Sequence, residues 1–143
     1  VREQGLQRGG GDMRSGGANY RDEDRLAHMM RAIGRIKEQL DGLERSMMRE
    51  GDNRTELIIY NLQVLGEAAN NISDAACAAY PEIDFKGWAG LRHRLVHDYA
   101  NIDLDIVWNA AKNDMPVLES ALKPIVDAMP KEPELPDNIE DFM

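Results

Sequence analysis

Residues 55–69, TELIIYNLQVLGEAA, carry the pattern that decides the fold. Apolar side chains recur in this stretch and beyond it at spacings of three and four residues, which predicts one amphipathic helix with a buried stripe. That stripe consists of Leu57, Ile58, Leu62, Leu65, Ala69, Ile72, Ala76 and Ala79. Thr55 is suited to cap the start of the helix, and Pro81 predicts its end because a proline ring clashes with the preceding turn.

Gly66 interrupts this helix near its middle, where glycine costs about 1 kcal/mol relative to alanine. A glycine at such a place usually lets another helix approach closely. Two interpretations of the residues around it are open. In one, Gly66 is a packing notch followed by a solvated Glu67. In the other, Glu67 or Asn70 lines a polar cleft against a neighbouring helix.

The segment before this helix also has a helical period. An apolar stripe runs from Leu26 to Leu43, and acids at positions 22–24 suit a helix N-terminus because they complement the helix dipole. Residues 50–53, EGDN, predict a break between the first helix and the second.

The segments after Pro81 are helical as well. Asp84 precedes a stretch whose apolar side chains fall on one side, namely Trp88, Leu91, Leu95, Val96 and Tyr99. Residues 101–103 predict a turn, a last helix begins near Asp103, and Pro116 is expected to kink or restart it. No stretch alternates like a strand. The sequence therefore predicts an all-α, antiparallel bundle of four to five helices, since the connections are short.

The ends of the chain differ in composition from this central part. Residues 1–21 hold six of the twelve glycines and few apolar side chains, which predicts a flexible leader that is either a tag or upstream sequence. Residues 130–143 carry five acids and one lysine, which predicts a loosely held acidic tail. The 143 residues suit a single domain, which we place at residues 22–129.

Charge and cysteine content exclude several classes of protein. No apolar run approaches the length of a membrane helix. A single cysteine, Cys77, rules out an internal disulfide and a multi-cysteine zinc site, and favours the reducing cytoplasm. The net charge of −9 argues against broad nucleic-acid binding. Residues 86–97, however, carry three basic residues and two histidines with no acid, which favours a small, positioned contact with RNA.

The basic stretch contains a group suited to RNA cleavage without a metal. A histidine such as His97 can accept the proton of a ribose 2′-OH or protonate the leaving oxygen, because its pKa lies near neutrality. Arg92 can bind the phosphate and stabilise the charge that builds on it. On an ideal helix the two point about 140° apart. They can serve one substrate only if the helix ends near Val96 or if a two-fold axis supplies a second copy.

Other interpretations of this group remain open. The stretch is equally compatible with an exposed helix whose charges are solvated and whose Tyr99 is a core residue. His93 and His97, four residues apart, form half of a zinc-type pair, but Arg94 stands where the zincin motif has glutamate. Cys77 has no neighbouring base in sequence, which favours a buried, inert thiol over a nucleophile.

An ordered set of segments in this chain resembles the HepT-like branch of the HEPN superfamily. The segments are Val64-Leu65-Gly66-Glu67-Ala68, Tyr80-Pro81-Glu82-Ile83, Trp88, Arg92-x4-His97-x-Tyr99, Asp103 with Val107-Trp108, and Asp114-Met115-Pro116-x-Leu118. The resemblance covers about residues 22–127, and it is the order and spacing of the segments that make it specific.

This resemblance implies a fold, an activity and partners. HEPN toxins are all-α homodimers that cleave RNA in a cleft along the two-fold interface and need no metal or cofactor. On this pattern Arg92 and His97 are the catalytic pair, while His93, Glu67 and Arg94 support them or position the substrate. Tyr99 corresponds to the tyrosine on which a partner nucleotidyltransferase, the MNT antitoxin, deposits AMP. The chain would then be the toxin of a type VII toxin–antitoxin pair.

A second function belongs to a different class. The chain is then a catalytically inactive HEPN module that binds a nucleotidyltransferase partner or nucleotides. Its overall acidity and its acidic tail, which could mask a basic groove, favour this alternative.

Overall fold

Six α-helices follow one another along residues 20–130, the part of the chain that the computed structural model describes. They are α1 (Tyr20–Leu40), α2 (Asn53–Asn70), α3 (Asp74–Ala79), α4 (Phe85–His97), α5 (Leu104–Asn109) and α6 (Met115–Asp127). No residue of this range lies in a β-strand, which confirms the all-α prediction. The predicted leader and acidic tail lie outside the described residues, apart from Tyr20, Arg21 and Pro130.

The helices pack as a bundle in which α1 and α2 form the central pair. α4 packs against α2, and α6 packs against α1. The fully buried side chains between them come from α1, α2, α5 and α6 and include Leu26, Ile33, Ile36, Ile58, Leu62, Leu65, Val107, Met115 and Leu122. α4 contributes the buried Trp88 and Leu95. No helix within residues 20–130 combines the length and apolarity that a membrane crossing requires.

Polar contacts at one end of the bundle tie α1 to the end of α2. Asp22 is fully buried, and its carboxylate accepts hydrogen bonds from the backbone N–H of Ser73 (2.9 Å) and from its hydroxyl (2.7 Å). Arg25 donates to the carbonyl of Asn71 (2.8 Å). At the other end, Arg54 donates to the carbonyls of Gln39 and Asp41 at the close of α1. α1 and α2 are therefore antiparallel.

The single helix predicted to run as far as Ala79 is wrong, because α2 ends at Asn70 and α3 begins at Asp74. The cause lies in side chains that bind nearby backbone groups and so compete with the helix. Asn71 donates to the carbonyl of Glu67 (2.9 Å), and the Ser73 hydroxyl accepts from the N–H of Ala76 (3.2 Å). The break lies where Asp22 engages Ser73.

The start of α2 differs by one turn from the prediction. Asp52, not Thr55, caps the helix, since its carboxylate accepts from the backbone N–H of Thr55 (3.0 Å) and from the Thr55 hydroxyl (3.1 Å). The backbone hydrogen bond from Thr55 is the main cause that lowers the pKa of Asp52.

Gly51 has a φ of +84°, a left-handed conformation that glycine adopts without strain. The predicted break at residues 50–53 is thus confirmed.

Gly66 lies at the point where α2 and α4 cross. A Cβ atom added there would stand 2.3 Å from the Cβ of Arg92 and 2.6 Å from the carbonyl oxygen of Trp88. Both distances are far inside van der Waals contact, so the two helices approach this closely only because residue 66 has no side chain. The packing-notch interpretation of Gly66 is confirmed.

α5 and α6 are two parts of one helical segment. Residues Ala110–Asp114 form a π-helical turn between them, and Pro116 lies in the first turn of α6, where its missing N–H costs little. The predicted restart at Pro116 is confirmed.

Two ion pairs give the direction of this last segment. Arg45, beyond the end of α1, pairs with Asp105 in α5 (2.7 Å), and Lys37, in the last turn of α1, pairs with Glu119 in α6 (2.9 Å). The chain therefore enters α5 at the C-terminal end of α1 and runs back along it, so α6 is antiparallel to α1.

Replacing Gly66 tests the helix crossing. We expect Gly66→Ala to lower the free energy of unfolding by about 1–3 kcal/mol, because the overpacked methyl group forces α2 and α4 apart. The matched control is Gly34→Ala in α1, where an added Cβ meets nothing within 4 Å. That variant should be neutral or more stable by up to about 1 kcal/mol through helix propensity alone. Chemical denaturation followed by circular dichroism measures both; equal stabilities of the two variants would contradict the crossing.

Candidate active site

The last two turns of α4 carry most of the motif residues. Asp84 caps this helix by accepting from the N–H of Gly87 (2.9 Å). The helix ends at His97, and the chain then forms a 3-10 turn over Tyr99–Asn101. Tyr99 is 75% exposed. Its predicted place on the buried side of the helix is therefore wrong, because the helix stops before it and the chain turns outwards.

Arg92 is held at the surface of α2 by Glu67. The Arg92 Nε lies 3.1 Å from the Glu67 Oε1, and Asn71 donates from its Nδ2 to the Glu67 Oε2 (3.1 Å). Both partners are partly exposed, so the pair adds little to stability and chiefly orients the guanidinium. The polar-cleft interpretation of Glu67 therefore also holds. The Arg92 side chain is 33% exposed, so an anion can also reach its guanidinium.

His93 and His97 lie on another face of α4. Their ring centroids are 4.2 Å apart with the planes tilted by 46°, and both side chains are exposed. Arg94, next to them, is exposed as well. The tilted rings of His93 and His97 are thus in contact at the open side of α4.

Within one chain the structure does not bring Arg92 and His97 together. α4 stays helical through His97, so the two side chains keep the separation of about 140° that five residues of helix impose. The Arg92 side chain points from α4 towards Glu67 on α2, whereas the His97 side chain points outwards beside His93. An early end of the helix thus does not unite them.

Arg92 opens into a groove of about 710 Å³ that we call the α1–α2–α4 groove. Its lining includes Arg25 and His28 from α1, Tyr60 and Glu67 from α2, and Arg92 from α4. Tyr60 is 59% exposed. The predicted site contained neither Tyr60 nor the α1 residues. One signal for Tyr60 was available, since it shares a helix face with Val64 and Glu67 at spacings of four and three.

A second cleft, of about 610 Å³, lies between α4 and the α5–α6 segment. Its lining is largely apolar, with Trp88, Leu91, Ile106 and Leu118, and carboxylates such as Asp114 stand at its rim. None of the catalytic-motif residues Arg92, His97 and Tyr99 lines it. The lining of this cleft contains no histidine, arginine or lysine that could hold a phosphate.

The described residues contain neither a metal-binding cluster nor an activated cysteine. Across residues 20–130 no three histidine, cysteine or acidic side chains come together in a way that could hold a metal ion. Cys77 is partly buried, and desolvation by burial, followed by the charges of Asp74 and Asp22, raises the pKa of its thiol. A raised pKa keeps the thiol protonated and hence unreactive near neutral pH.

The chain is similar to several curated proteins. It is 35% identical over 79 residues to a Methanocaldococcus jannaschii protein named "Putative RNase MJ0127", an alignment that covers 52% of this chain and 65% of that protein. It is 33% identical to "Probable ribonuclease HepT" of Thermococcus cleftensis, covering 48% of this chain and 63% of the relative. "Putative RNase TTE0752" of Caldanaerobacter subterraneus subsp. tengcongensis is 24% identical, with 71% of this chain and 90% of the relative covered.

A family model also matches the chain. The chain spans 57–65% of the length of the first relatives that it matches, which is less than two thirds. No solved structure matches it. The model of the family described as "Ribonuclease HepT-like" matches residues 29–125, which include α2, α4 and the whole Arg92–Tyr99 motif. The chain therefore belongs to the HepT-like family.

Proposed function

We propose that this chain is a metal-independent endoribonuclease whose active site forms between two copies. The observation that carries the proposal is the placement of Arg92: Glu67 orients its guanidinium at the edge of a groove, where a third of the side chain stays exposed to a phosphate. The names of the relatives, which call them ribonucleases, support the same activity.

The separation of Arg92 and His97 argues for a homodimer. Both side chains reach the surface, but on different faces of α4. A two-fold axis beside the last turn of α4 would place His97 of one copy opposite Arg92 of the other. In a two-fold interface, a residue i that contacts residue j of the partner has its own j contacted by the partner's i. One interface would then create two equivalent sites.

The chemistry follows from these groups. His97 accepts the proton of the ribose 2′-OH, and the 2′ oxygen attacks the phosphorus atom. The bond from phosphorus to the 5′ oxygen breaks, and that oxygen takes a proton from an imidazolium. Arg92 binds the non-bridging oxygens and stabilises their added charge. The products are a 2′,3′-cyclic phosphate and a 5′-hydroxyl. His93, by stacking on His97, and Arg94, by its charge, position the substrate.

Substitution of Arg92 and His97 tests this proposal. We expect His97→Ala and Arg92→Ala each to lower the rate of RNA cleavage by at least about a hundredfold, which is the usual contribution of a general acid–base group or an oxyanion donor. The assay follows a labelled RNA in the presence of a chelator and identifies the cyclic phosphate end of the product.

The control for this assay is Arg49→Ala, which removes an exposed arginine of the loop before α2 and should cleave at the rate of the unmodified protein. Equal cleavage by His97→Ala and the unmodified protein would overturn the assignment. Loss of all cleavage on adding chelator would overturn the metal independence.

The same proposal includes regulation of the chain as the toxin of a type VII system. Tyr99 is 75% exposed in the turn that follows α4, so an enzyme can reach its hydroxyl. AMP transferred to that hydroxyl would add a bulky anion two residues after His97 and neutralise the cationic surface that binds phosphate. The partner that transfers it would be a nucleotidyltransferase antitoxin.

Tyr60 supplies an internal control for this modification, because it is also an exposed tyrosine. With ATP and the nucleotidyltransferase, we expect the protein and Tyr60→Phe to gain AMP on the Tyr99 peptide and to lose cleavage. Tyr99→Phe should gain none and stay active. Mass spectrometry of the peptides measures the transfer; AMP found on Tyr60, or none at all, would contradict the proposed switch.

A second candidate is an inactive module that binds a nucleotidyltransferase or nucleotides. The observation in its favour is that Glu67 already occupies the Nε of Arg92 and that His97 lies on another face of the same chain. If RNA stays intact with the unmodified protein while Arg92→Ala binds the nucleotidyltransferase with unchanged affinity, the inactive module replaces the nuclease.

A further inference from the structure

The solvent-facing side of α1 carries a stripe of basic side chains. Its members recur at spacings of four, three, three and four residues, so a helix aligns them: Arg21, Arg25, His28, Arg31 and Arg35. We call this set the α1 stripe. Two acids of α1 share this side of the helix: Asp24 lies among the stripe, and Glu38 follows Arg35 after three residues. In a chain with a net charge of −9, such a stripe is a local reversal of sign.

The fold leaves Arg25, His28, Arg31 and Arg35 available. His28, Arg31 and Arg35 are exposed, and Arg31 and Arg35 make no hydrogen bond or ion pair with another described residue. Arg25 uses one terminal nitrogen to bind the carbonyl of Asn71, which leaves its other donors open. By contrast Lys37, on another side of the same helix, is paired with Glu119. Packing within residues 20–130 therefore leaves the polar groups of Arg25, His28, Arg31 and Arg35 able to bind a ligand.

The α1 stripe leads into the α1–α2–α4 groove. Arg21, Arg25 and His28 line one wall of the groove, and Arg92 lines the other. Tyr60, from α2, also lines the groove and has 59% of its surface exposed. Cations of the α1 stripe, an open aromatic ring and the proposed phosphate-binding arginine therefore border one groove, together with the acids Asp24 and Glu67.

We infer that this surface is a binding track for single-stranded RNA, which leads the strand to Arg92. The inference rests on the proposed ribonuclease function. Basic side chains that follow a backbone, combined with an exposed aromatic ring on which a base can stack, are the means by which proteins hold single strands. The α1 stripe spans roughly 21 Å along the helix, enough for several nucleotides. Tyr60 stacks one base beside the phosphate that Arg92 holds.

The test measures binding and salt dependence with an RNA that cannot be cut. A single-stranded RNA with 2′-O-methyl groups lacks the 2′-OH that cleavage needs, so its binding is measurable whether or not the proposed chemistry is right. The double variant Arg31→Gln with Arg35→Gln removes two outer members of the stripe. We expect weaker binding, and a slope of log affinity against log salt that is shallower by about 1.4, since each lost phosphate contact on a single strand contributes about 0.7.

The matched control is Lys112→Gln with Lys123→Gln, which lowers the net charge by the same amount on the α5–α6 segment. Both lysines are exposed, and neither lines the groove. Binding and slope of this control should equal those of the unmodified protein. If both double variants change the slope equally, only the overall charge matters and the track is refuted.

Tyr60 provides the second arm. Tyr60→Phe retains the ring and should bind as the unmodified protein does, whereas Tyr60→Leu should bind at least about fivefold more weakly through the lost stacking. Equal binding by these two variants would refute the stacking role.

The outcomes separate this inference from the proposed function. If Arg31→Gln with Arg35→Gln binds and cleaves RNA as the unmodified protein does, the track is wrong while the nuclease stands. If the slope changes as expected but no protein cleaves RNA, the track stands while the nuclease fails. A double variant that loses affinity for an acidic partner protein but not for RNA assigns the stripe to that partner and also overturns the track.

Discussion

The contact on which the candidate site depends is the close crossing of α2 and α4 at Gly66. The backbone of α2 there lies so near to α4 that an added methyl group would overlap both the Arg92 side chain and the Trp88 carbonyl. This proximity places the base of Arg92 directly over α2, from which its guanidinium reaches the carboxylate of the next residue, Glu67. A mid-helix glycine, unfavourable for α2 alone, thus positions the charge that phosphate chemistry would need.

Because of this crossing, the candidate site residues of α4 lie on two different faces of the helix. Arg92 is turned towards α2 and the groove, while His93 and His97 are stacked on the open side. A regular helix cannot turn Arg92 and His97 towards one phosphate, because five residues advance it by about 140°. In the account proposed above, a second copy resolves this conflict, and the α1 stripe with Tyr60 supplies the length of surface that a strand needs before it reaches the cleft.

The helical period was enough to predict the bundle, and Gly66 was enough to predict a close approach, because both depend on local chemistry. The break at residues 71–73 was missed since the apolar stripe continues through it. The Asn71 and Ser73 side chains cause it locally, and the buried Asp22, which is distant in sequence, binds Ser73 there. Tyr99 was misplaced for a related reason, because apolar spacing does not reveal that the helix ends at His97. The basic spacing of the α1 stripe is visible in the sequence, but its position beside Arg92 follows only from packing.

Mixing two inactive variants is the most direct test of a site shared by two copies. Arg92→Ala and His97→Ala, each without cleavage alone, are unfolded together, refolded at equal amounts and assayed on RNA. If one site takes Arg92 from one copy and His97 from the other, half of the dimers regain one of two sites, and about a quarter of the unmodified activity returns. A mixture as inactive as its components, while size measurement shows that mixed dimers have formed, would contradict the shared site.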